Sequence, residues 1–106
     1  VAHLPLVPGA RYRLSGWMLV RRLEGLRETP SLKVGINDAE DKWITNATTG
    51  AYRTDAMGQW QELSVQFDVP VSGAFGYICV ERNSFSGKAD IEMYVDDIEL
   101  RMTAAP

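Results

Sequence analysis

Ile91-Glu92-Met93-Tyr94-Val95-Asp96-Asp97-Ile98-Glu99-Leu100 alternates with the period of a β-strand. Tyr94, Asp96, Ile98 and Leu100 fall on one side, and Val95, Asp97 and Glu99 on the other. The first set is the more apolar, so the alternation offers Asp96 to the core. A buried carboxylate must be compensated by backbone N–H groups, a cation or a metal, because desolvating it alone is too costly. The reading therefore expects a strand that closes a sheet and a partner for Asp96.

The same period recurs outward from this stretch. Arg11 to Arg22 sets Tyr12, Leu14, Gly16, Met18 and Val20 against Arg13, Ser15, Trp17, Leu19 and Arg21, which puts Trp17 opposite the core. Leu32, Val34 and Ile36 alternate with Ser31, Lys33, Gly35 and Asn37, and Leu63, Val65, Phe67 and Val69 with Glu62, Ser64, Gln66 and Asp68. Shorter strands are expected at His3 to Val7, Lys42 to Asn46 and Tyr77 to Asn83, where Tyr77, Cys79 and Glu81 oppose Ile78 and Val80. The one helix-like stretch is Val20 to Glu28, and Asn46 to Gly58 reads as a long loop holding Tyr52. About seven short strands separated by Gly, Pro, Asn and Asp turns predict an all-β sandwich of jelly-roll type.

Composition narrows what such a domain can do. At 106 residues the chain is one domain, 1–106. A formal charge of −3 gives no basic field for nucleic acid. No apolar run approaches the roughly 18 residues of a membrane span. With one cysteine, Cys79, and one histidine, His3, neither an intrachain disulfide nor a Cys/His zinc cluster can form. Cys79 lies in an apolar strand pattern and reads as packing rather than as a nucleophile paired with His3. Asp96 and Asp97 are adjacent on a strand and point apart, so they cannot flank one glycosidic bond as a catalytic pair.

Four segments occur in order: Val7-Pro8-Gly9-Ala10-Arg11-Tyr12-Arg13-Leu14-Ser15-Gly16-Trp17, Gln59-Trp60-Gln61-Glu62-Leu63-Ser64, Phe67-Asp68-Val69-Pro70, and Tyr94-Val95-Asp96-Asp97-Ile98-Glu99-Leu100. Together they resemble the carbohydrate-binding modules of the four, nine, sixteen and twenty-two type, which share a galactose-binding-like β-sandwich. The resemblance implies a non-catalytic domain that holds an attached enzyme or surface protein to poly- or oligosaccharide, outside the cell or on its surface, with neighbouring domains as further partners. Such modules usually begin with a further strand and a Phe-Glu pair. The reading therefore expects this chain to be a piece of a longer one, with an exposed sheet edge that could pair two copies. In these modules a structural calcium ion commonly takes the first Asp of the pair, here Asp96, together with the upstream Glu. The alternative is that Asp96 accepts backbone N–H groups or pairs with an arginine.

Sugars present an apolar face of C–H bonds and a rim of hydroxyls, so a site for them combines an aromatic platform with short polar groups. Trp17, Trp43, Tyr52 and Tyr77 are the candidate platforms, with Trp17 foremost. Arg13, Gln66, Glu81 and Asn83 are the candidate polar readers, expected to converge on one sheet face beside Trp17. Trp60 is expected to pack at the core edge. The competing reading is a structural or protein-interaction sandwich without a sugar site.

Overall fold

The computed structural model describes residues 3–25, 28–82 and 90–106. Among them there are seven strands and no α-helix: β1 (Leu4–Pro5), β2 (Arg11–Glu24), β3 (Ser31–Asn37), β4 (Trp43–Thr48), β5 (Gln61–Asp68), β6 (Phe75–Glu81) and β7 (Asp90–Ala104), with a 3-10 turn at Thr54–Ala56. They form a four-stranded sheet in the order β1-β6-β3-β4 and a three-stranded sheet in the order β5-β2-β7. Every pairing is antiparallel. The all-β sandwich expected from alternation is the architecture found, and the stretch that looked helical from Val20 continues β2 as far as Glu24.

Alternation decides the layers. Leu14, Met18 and Val20 of β2 face Leu32 and Val34 of β3 across the interior, and Leu63, Ala47 and Tyr52 complete that core. Gly16 has a packing reason: a Cβ there would come within 2.7 Å of Leu32 Cδ1, so its lack of a side chain lets the facing sheet approach. A second cluster of Leu6, Ala10, Tyr12, Ile36 and Val69 closes one end. Tyr12 stacks on Phe67, with ring centroids 5.9 Å apart, and its hydroxyl accepts the Val7 N–H at 3.0 Å.

β7 departs from its expected register. Trp17 pairs with Asp96 but Ser15 pairs with Glu99, so Asp97 and Ile98 both lie opposite Gly16 in a β-bulge. Asp97 takes a left-handed φ of 52°, a conformation that aspartate tolerates better than most residues. The extra residue reverses the parity, so that Met93 and Val95 on one side of the bulge and Leu100 on the other all pack on the core. Asp96 is consequently exposed rather than offered to the interior. Its Oδ1 accepts the N–H of Asp97 at 2.9 Å, a local bond that caps the bulge.

Candidate functional site

The outer face of the four-stranded sheet is built from alternate residues of three neighbouring strands. On β6 these are Tyr77, Cys79 and Glu81, which register with Gly35, Lys33 and Ser31 of β3. On the other side of β3, Thr48 and Asn46 of β4 register with Lys33 and Gly35, and Trp43 with Asn37. Gly35 is the pivot. A Cβ there would lie 2.5 Å from Tyr77 Cε1 and closer still to Cζ and Oη, so the Tyr77 ring lies across the glycine, over its neighbour strand. Any larger residue at Gly35 would push the ring off the sheet.

Polar groups surround this ring. Lys33 Nζ meets Glu81 Oε2 at 2.6 Å, with side-chain exposures of 19% and 34%. The hydrogen bond to Glu81 holds the Lys33 ammonium above the ordinary lysine range, although partial burial works against it. On the opposite flank, Trp43 is 60% exposed and its Nε1 donates to Asn46 Oδ1 at 2.8 Å, which fixes the indole beside the strand. Tyr77, Glu81 and Trp43 of the expected site are thus brought onto one surface. Gly35, Lys33 and Asn46 join them, and a glycine in the middle of an alternating strand was the sequence signal for a close approach there.

The other expected residues lie elsewhere. Trp17 and Arg13 are on the outer face of the three-stranded sheet, where Arg13 registers with Gln66 of β5. Outward parity for all three was correct, but a sandwich has two outer faces, and the expected convergence of every candidate beside Trp17 does not occur. Trp60 is 46% exposed rather than packed at the core edge, and it lines a cavity of about 300 Å³ with Trp17, Asp96 and Asp97.

Tyr52 is only 1% exposed and cannot serve as a platform. Its hydroxyl donates to the carbonyl of Gln59 at 2.7 Å and lies 3.0 Å from that of Ala56, pinning the loop over the core. Gln61 holds the same loop, accepting the Arg53 N–H and donating to the Arg53 carbonyl, each at 2.9 Å. Asn83 lies outside the described residues.

No family model and no curated protein matches this sequence. Solved structures do match. The CBM22-1–GH10 modules of the Clostridium thermocellum N-terminal endo-1,4-β-D-xylanase 10B, complexed with xylohexaose, align over 93% of this chain with a TM-score of 0.67 and 17% identity. The CBM22-1 xylan-binding domain of Xyn10C from Paenibacillus barcinonensis aligns over 95% with a TM-score of 0.57 and 16% identity. The fold is that of a carbohydrate-binding module. The chain spans 18% and 60% of the length of these two structures. At such identity the likeness to carbohydrate-binding modules is one of architecture, and each residue's role must come from this chain's own geometry.

The calcium position implied by that family likeness can be tested on the donor set. Calcium takes six to eight oxygen ligands. Asp96 is exposed, one of its oxygens is engaged by the Asp97 N–H, and among the described residues no group of three or more His, Cys, Asp or Glu side chains comes together. Among the described residues, those around Asp96 do not make up such a shell. Among the described residues no helix is long and apolar enough to cross a membrane.

Proposed function

We propose that this chain is a non-catalytic polysaccharide-binding module that stacks a sugar ring on Tyr77. The observation that supports the reading is the Tyr77 ring laid across Gly35 on the outer face of the sheet, where it would offer a sugar a platform. A sugar's C–H face packs on such a ring while its hydroxyls meet flanking polar groups. Glu81 accepts and Lys33 donates on one side, and Asn46 and the Trp43 indole lie on the other. Because the Lys33 and Glu81 charges offset each other, the surface suits an uncharged glycan. The two matched structures, one of a xylan-binding domain and one bound to xylohexaose, support a β-1,4-linked xylan as the first ligand to test.

Binding of this kind needs no reacting group. A module tethered to a catalytic domain raises the local substrate concentration without adding a catalytic contact. Such a partner would work where polysaccharide is found, outside the cell or on its surface. Isothermal titration of the chain with xylohexaose and cellohexaose, repeated on Tyr77→Ala, tests the reading. The expected result is binding of at least one oligosaccharide that Tyr77→Ala weakens about tenfold or more, the loss of roughly one stacking contact. Absence of binding to either ligand, or binding unchanged by the substitution, overturns it. In the first case the protein-interaction sandwich becomes the better description.

A further inference from the structure

On the opposite side of the sandwich, the outer face of the three-stranded sheet carries a groove with different chemistry. Trp17, 40% exposed, stands between two cavities. One, of about 300 Å³, is closed by Trp60, Asp96 and Asp97. The other, of about 410 Å³, runs on past Trp17 and Asp97 to Arg13, Ser15, Glu62 and Glu99. Trp17 and Asp97 line both, so the two form one depression with an indole at its centre.

Three observations indicate what it would hold. The walls are aromatic, with tryptophan rings from β2 and from the turn before β5. The lining is acidic on balance: against the one guanidinium of Arg13, which meets Glu62 at 3.9 Å, stand Asp96, Asp97, Glu62 and Glu99, of which Glu99 meets Arg101 at 3.5 Å and neither Asp96 nor Asp97 has a cationic partner among the described residues. Ser15 is 7% exposed and lines the groove, yet its hydroxyl makes no hydrogen bond to a described residue. This hydroxyl is therefore free to donate to, or accept from, a molecule lying in the depression.

We infer that this groove is a second saccharide site, selective for cationic amino sugars. An indole face accepts the C–H face of a hexose and also attracts an ammonium group. Carboxylates beside it favour an ammonium over an acetamide or a hydroxyl, and Ser15 can meet a ring hydroxyl. The Tyr77 surface has the opposite character, since its charges are paired within the protein. The two sheets would therefore read different glycans, and this site does not depend on the assignment of the other.

The test uses the chain as it is, titrated with a fully deacetylated β-1,4-glucosamine hexamer and with its N-acetylated counterpart at pH 6, followed by calorimetry and tryptophan fluorescence. The deacetylated hexamer is expected to bind more tightly, to quench tryptophan emission and to weaken as salt is raised. Asp96→Asn combined with Asp97→Asn keeps shape and the bulge's acceptor, so it should fold normally while weakening the deacetylated hexamer about fivefold. Trp17→Ala should weaken it about tenfold or more, and Tyr77→Ala should leave it unchanged. Equal binding of the two hexamers, or full binding by the Asn pair, overturns the proposal. So does loss of binding in Tyr77→Ala, which would place the amino sugar on the other sheet. Should Trp17→Ala unfold, the Asn pair still decides.

Discussion

The Tyr77 platform rests on a single missing methyl group, and Gly35→Ala tests it directly. Gly35 sits in regular strand without a positive φ, so alanine suits its backbone and would by itself stabilise the chain by about 0.4–1 kcal/mol through the unfolded state. The methyl, however, would occupy the volume of the Tyr77 ring. Displacing the ring uncovers about half of a tyrosine's contact area. At 25 cal/mol per Å² over about 100 Å², that is about 2.5 kcal/mol. The net expectation is a destabilisation of about 1.5–2 kcal/mol, together with loss of the flat ring as a sugar platform.

A double-mutant cycle isolates the contact. In a Tyr77→Ala background the obstruction is gone, so Gly35→Ala should be neutral or slightly stabilising there. Urea unfolding gives the four stabilities, and xylohexaose titration gives the matching affinities. A Gly35→Ala cost that is the same in both backgrounds refutes the reasoning, because the ring then does not lie on the glycine.

Tyr52→Phe removes a hydroxyl that satisfies carbonyls over the core, and it should lower stability by about 1–2 kcal/mol, read as a shift of the urea midpoint. The raised Lys33 ammonium fixes the sign of a pH effect. Its bridge to Glu81 contributes fully below the ordinary lysine value of 10.5 and is lost as pH rises through the higher folded value. The melting-temperature gap between the wild type and Lys33→Met should accordingly stay constant from pH 6 to 9 and narrow above about 10.5. Chelation with EDTA should leave the melting midpoint unchanged, since the described oxygens around Asp96 do not make up a calcium shell; a drop of several degrees would point to a bound ion.

Strand alternation alone was enough to assign most residues to core or surface. Leu32, Val34 and Ile36, or Leu14, Met18 and Val20, have no competing period, and their burial in the structure follows from parity. Two features were beyond that logic. The bulge at Asp97 adds a residue without disturbing the local pattern, so Asp96 seemed to face inward when it faces out. Tyr52 lies in a Thr/Gly/Ala-rich segment that looks like surface loop, and only the partners of its hydroxyl and of Gln61 reveal that the segment is fastened across the core.

The candidate site was legible by halves. Parity identified Trp17, Tyr77 and Glu81 as outward, but it says nothing of which outer face each occupies, because that depends on strand order. The register of Tyr77 against Gly35 is a tertiary fact of the same kind.

The bulge in β7 has a further consequence, for crowded solutions. β7 is a 15-residue strand at the margin of its sheet, with β2 on one side and no partner on the other among the described residues. A bare margin of that length is a template on which other chains can polymerise. The irregular backbone at Asp97 breaks the row of backbone groups near its middle, and Asp96, Asp97 and Glu99 cluster there. Two copies brought together antiparallel about this point would confront acid with acid. The kink that hid the orientation of Asp96 from the sequence should therefore disfavour fibre-like stacking, and neutralising those three carboxylates should make the chain more prone to it.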